Sequence, residues 1–163
     1  MIVLSDLAGP DEKPRTFDAG RGVLFTYRLP THADLIYSRG RGNAKAQLSL
    51  EEAKEANLIG EEADLADASE RLGDIYASAE ATASEVLVLR CTLGWEGVAT
   101  PEGEPHPFDA VRWRAFANAF PVAADNYAQQ LYAGNAELVA EGNVSSPGAD
   151  GSGEGTEKPA AGA

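Results

Sequence analysis

Twenty-six carboxylates, two histidines and one cysteine are the side chains of this 163-residue sequence that could move protons, attack electrophiles or hold a metal. Hydrolysis would pair some of the carboxylates with His32 or His106 as general base. None of them stands in a pattern specific to that chemistry: the chain has no G-x-S-x-G, H-E-x-x-H or G-x-x-x-x-G-K-[ST], and no G-x-G-x-x-G after a strand. His106 lies between Pro105 and Pro107 and reads as a solvated loop residue; His32 falls in the first turn of an expected helix. Cys91 has no second cysteine for a disulfide, and two histidines do not complete a thiolate zinc site around it. At the end of a long apolar pattern it reads as a small buried hydrophobe. No D-x-[DN]-x-[DN]-G calcium loop is present. The sequence points to a protein without catalytic residues, cofactor or metal.

Charge sets the second limit. Acids outnumber bases 26 to 13, for a net charge of −13, so binding to a phosphate backbone is opposed by like charge. The Arg39-Gly40-Arg41-Gly42 stretch, with Arg21 between Gly20 and Gly22, lacks the interleaved aromatics of a nucleic-acid patch and reads as a helix end and a turn. Acid concentrates in residues 46–80, where ten carboxylates face Lys54 and Arg71. A solvated helix face is the plain reading; mimicry of the DNA phosphate array is a minor alternative. At 44% hydrophobic the chain can bury one core. It has no stretch near the roughly 18 apolar residues of a membrane span and no basic-then-apolar leader at its start. The expectation is a soluble, reduced, intracellular protein that binds neither nucleic acid nor membrane.

The expected elements are an α+β set, predominantly helical: a short N-terminal hairpin or small sheet, about five helices and a disordered C-terminal tail. Ile2-Val3-Leu4 and Val23-Leu24-Phe25-Thr26-Tyr27 read as strands. Thr31 with Asp34 forms a capping box that starts a helix expected to fray near Gly40 and Gly42. A second box, Ser49 with Glu52, predicts a new helix over about 50–59. The longest periodic pattern fills 62–93, and its last apolar turns should be the most buried. Three prolines and Gly103 make 99–107 a loop. A helix follows Phe108, and Pro121 opens the last one, whose stripe runs Ala124, Ala128, Leu131, Leu138. Phe108, Trp113, Phe116 and Phe120 mark the expected packing centre. Residues 1–141 read as one domain. From Gly142 to Ala163, Gly, Ser, Pro and Ala dominate, too little apolar surface to offset ordering entropy.

One further constellation is Leu93-Gly94-Trp95-Glu96-Gly97-Val98, then Gly103, then Pro107-Phe108-Asp109. By packing logic Trp95 is an aromatic plug at a helix end where the chain reverses. The order Trp95-Glu96-Gly97-Val98, a loop with Gly103, Phe108, a helix carrying Trp113 and a stop before Pro121 resembles the tail assembly chaperones of long-tailed bacteriophages and prophages. Their pattern is W-[ED]-G-[VI], then x-G-x-P-x-x-F-[ST], then a helix ending before a proline and a polar tail. The likeness covers about residues 86–155. Asp109 stands where Ser or Thr is usual, and Glu141-Gly142-Asn143 where Lys-Asn is frequent.

What the resemblance implies is a non-catalytic chaperone. Its partner would be the tape-measure protein, a long apolar helical chain kept soluble while the tail tube assembles, with the major tail tube protein as a second candidate partner. It would work in the bacterial host cytoplasm during virion assembly and be absent from the mature particle. An apolar groove between helices would meet the client, and the acidic face would keep the complex in solution. Self-association stays open. The alternatives are a head-to-tail or tail completion protein and, less favoured, an acidic decoy for DNA-binding proteins.

Overall fold

The computed structural model describes residues 13–60 and 63–144. Strands β1 (Arg15–Asp18) and β2 (Leu24–Tyr27) pair antiparallel, with Phe17 opposite Phe25. Gly20, Arg21 and Gly22 reverse the chain with φ of 81°, 55° and 79°, a left-handed path that glycine follows without steric cost. The Asp18 carboxylate accepts from the Gly20 N–H at 2.8 Å and fixes the turn. The third strand, β3 (Thr92–Glu96), lies antiparallel on the other side of β2 and sets Trp95 opposite Phe25. Phe17, Phe25 and Trp95 therefore form a cross-strand aromatic row on one face.

Two sequence expectations change here. The helix expected to run to 93 ends at Cys91, and Trp95 is a strand residue rather than a plug at a helix end. Sheet pairing decides this: Thr92 still donates its N–H to Val88 O as the helix cap, and from there the ladder to β2 supplies the backbone partners a helix end lacks. β1 was not expected, because Arg15-Thr16-Phe17-Asp18 is short and carries a single large apolar residue. The strand expected at Ile2-Val3-Leu4 lies outside the described residues.

Helix α1 (His32–Glu55) starts as the sequence predicts, with both halves of the Thr31–Asp34 capping box formed. It neither frays at Gly40 and Gly42 nor restarts at Ser49, so the described residues form four helices where about five were expected. Packing overrides local propensity. Gly42 is a point of close approach to helix α2 (Leu65–Cys91): a Cβ there would fall 2.7 Å from Ala79 O and 3.1 Å from Ala83 Cβ. The two helices form a hairpin arm sealed by Ala46, Ala53, Ile75 and Ala79. Asp64 caps α2 by accepting from Ala66 and Asp67 N–H groups.

Helix α3 (Ala110–Ala119) is capped by Asp109, and α4 (Pro121–Val144) starts at Pro121, both as expected. α4 runs past Gly142; the tail beyond Val144 lies outside the described residues. The last turns of α2, with Leu87, Val88 and Cys91 fully buried, meet α4 and the sheet. The packing centre lies deeper than the sequence placed it. Phe25 is fully buried, stacked on Tyr127 at 4.3 Å and edge-on to Phe116 at 5.3 Å and Trp113 at 5.9 Å. Phe120 sits at the margin, with the Arg21 guanidinium 5.2 Å above its ring.

Candidate functional site

The residues of the sequence motif fall largely into one region, the seam between β3 and α3. Trp95 donates its indole N–H to the His106 carbonyl at 2.8 Å and stands edge-on to Phe108 at 5.3 Å. Phe108 also approaches the Trp113 ring, at 6.4 Å. The Val98 carbonyl accepts from the His106 N–H at 2.9 Å, and an Ala99–Pro105 bridge narrows the loop. Gly103 makes the tip with φ 86°. Gly97, with φ 80°, lies so close to the hairpin turn that an added Cβ would be 1.9 Å from Gly22 O. Glu96 is exposed at the end of β3. The motif thus builds a wall: Trp95, Gly97, Val98 and Phe108 fasten the loop to the sheet, Gly103 turns the loop, and Pro121 starts α4.

Buried titratable groups are held by their surroundings. Asp34 is buried, and its carboxylate takes Arg28 through two hydrogen bonds (2.7 and 3.2 Å), Arg90 Nε at 2.9 Å, and the Thr31 hydroxyl and N–H. Hydrogen bonding from Arg28 is the main cause that holds its carboxyl well below the usual carboxylate range. This clamp joins the exit of β2, the start of α1 and the end of α2. The sequence marked Asp34 only as a cap; nothing in the spacing of Arg28 and Arg90 signals the pairing. Burial pushes the Cys91 thiol up to about 11, so it is protonated at neutral pH. Burial likewise raises the Tyr127 phenol, whose oxygen lies 2.8 Å from the Thr92 hydroxyl. His106 Nδ1 accepts from Arg112 Nε at 3.0 Å. Among the described residues no group of three or more His, Cys, Asp or Glu is placed to hold a metal ion.

Open space lies elsewhere. A cleft of about 1100 Å³ opens between the arm and the α3–α4 pair, above the roughly 300–1,000 Å³ of small-molecule sites. Each helix lends it a row at helical spacing. α1 contributes Arg39, Gly42, Asn43 and Ala46; α4 contributes Ala124, Asp125, Ala128, Gln129 and Tyr132. On α2 the buried Ala79 and Ala83 lie behind the exposed Tyr76, Ala77 and Glu80. Buried Trp113 and half-buried Ala117 of α3 complete the lining. Rows of this kind span about two to three helical turns, and their small side chains let another backbone come close. Of the motif residues, Trp113 alone reaches this cleft. The Ala79–Ala83 and Ala124–Ala128 steps fit the helical periodicity of the sequence; that all four alanines line one cleft was not visible there.

No helix among the described residues is long and apolar enough to cross a membrane. Comparison of the chain with family models, with curated proteins and with solved structures finds no match.

Proposed function

We propose that the chain is a non-catalytic assembly chaperone of the kind its sequence resembles, the tail assembly chaperones of long-tailed phages, and that the cleft between the arm and α3–α4 receives a helical stretch of the tape-measure protein. The observation that carries the reading is the cleft, lined at helical spacing by small side chains interspersed with charged and amide ones and by Tyr76 and Tyr132. A helix laid there would bury its apolar face without displacing any part of the core. The Trp95 motif supports this indirectly, by fixing the loop that leads into α3 and thereby Trp113. The burial of Asp34, Cys91 and Tyr127, with the Asp34 carboxylate and the Tyr127 hydroxyl hydrogen-bonded, suits a protein that binds rather than transforms.

In this reading the protein works in the host cytoplasm during assembly and leaves before the particle is complete. Co-expression with the long, helix-rich protein encoded beside it tests this: the client should become soluble and co-purify. A client that aggregates in the presence of the folded chain contradicts the proposal. Mass spectrometry of purified particles should find the chain absent or at trace level; stoichiometric amounts would assign it to the particle instead.

A further inference from the structure

We infer that the occupant of the cleft is an amphipathic helix with a bulky aliphatic stripe flanked by lysine or arginine, an inference that rests on the cleft reading above. The stripe follows from steric fit. The arm side of the cleft floors on Gly42, Ala79 and Ala83, where α1 and α2 touch, and the α4 side on Ala124 and Ala128, all of them small and buried. An alanine-rich visitor would leave that space empty, whereas Leu, Ile or Met side chains fill it.

The flanks follow from charge. Five ionised groups line the cleft: Arg39, Arg114, Glu80, Glu85 and Asp125. Arg114 and Glu85 neutralise each other through a 2.6 Å ion pair. Glu80 and Asp125 remain, exposed and on opposite walls, one from α2 and one from α4, against Arg39 alone. The wider field has the same sign, since the chain carries −13 overall. A cationic partner is drawn in and an anionic one is repelled. Tyr76 and Tyr132, also in the lining, add aromatic rings of the kind that attract cations.

The test uses the full chain and three peptides of about 18 residues, long enough to form a helix. One has a leucine stripe with lysine flanks, the second the same stripe with glutamate flanks, and the third a scrambled stripe with lysine flanks. Fluorescence anisotropy at low salt should show the lysine-flanked helix binding at least about tenfold tighter than the glutamate-flanked one, a gap that narrows as salt rises. The scrambled peptide should not bind. The double variant Glu80→Lys/Asp125→Lys, at two exposed positions, should keep its melting temperature and invert the preference. Equal binding of both striped helices overturns the charge inference and leaves the cleft reading standing. Equal binding of the scrambled and striped lysine peptides reduces the site to general electrostatics and overturns the stripe. Failure of both striped helices overturns the cleft reading as well. A chain that sediments as a dimer broken by Ala77→Arg, with no peptide binding, gives the cleft to a second copy and overturns the proposal.

Discussion

The sheet end of the molecule and the helical arm solve the same problem with opposite materials. Around Phe25, strands and helices meet through rings: Trp95, Phe108, Trp113, Phe116 and Tyr127 all lie within 6.4 Å of it, centroid to centroid. Along the arm, α1 and α2 meet mainly through small residues, Gly42, Ala46, Ala53 and Ala79, with Ile75 between them, and several large side chains point away: Leu48 is 59% exposed, Tyr76 59% and Leu65 85%. Aromatic burial yields stability per residue, while small-residue contact yields close approach and leaves surface over. The first region holds the fold; the second presents it.

That division can be broken most forcibly at Phe25. Phe25→Ala removes the ring at the centre of the cluster and should cost about 3–5 kcal/mol, read as a shift in denaturant midpoint. Trp95→Ala, at a half-buried ring, belongs at the lower end of that range. Losses near zero would show that the rings do not carry the fold.

Next comes the joint between the regions. Asp34→Asn leaves Arg28 and Arg90 without their common anion and should cost about 2–4 kcal/mol at neutral pH. Because the folded carboxyl lies below its unfolded value, the wild-type clamp contributes fully above the ordinary carboxylate range and is lost as pH falls through the folded value. Wild type and variant should therefore converge on acidification below about pH 4. Denaturant curves at several pH values check this, and a constant gap would remove the clamp's charge from the account.

At the seam, Gly97→Ala forces a Cβ against Gly22 O in a left-handed backbone and should cost roughly 2 kcal/mol or more. The melting temperature should fall accordingly. The smallest effects compare two arm glycines. Gly42→Leu must push α1 off the Ala79 carbonyl and should raise amide exchange in the arm while the sheet stays protected. Gly73, in α2 with nothing within 4 Å, should accept alanine with a gain of about 0.5–1 kcal/mol. Equal responses at the two positions would erase the distinction between contact and open surface.

Legibility in the sequence followed the range of the interactions. The caps at Thr31, Asp109 and Pro121 were readable because their partners lie within a turn. So were Cys91 as a buried thiol and the apolar end of α2. The Ser49 box also has local logic, yet it sits inside α1, because contact with α2 keeps the helix continuous where a local signal would restart it. Gly40 and Gly42 look alike as letters; only the crossing with Ala79 separates them. β3 hid behind a helical pattern because its strand character depends on β2, more than sixty residues upstream. The cleft was least legible of all, since a gap between four helices has no residue pattern of its own.

Hydrogen exchange on the chain, alone and co-expressed with the proposed client, tests the central claim most directly. The account predicts new protection in residues 76–85 and 124–132, which line the cleft, with exchange around Phe25 and Trp95 unchanged. Protection confined to the sheet, or none in either helix, would contradict it.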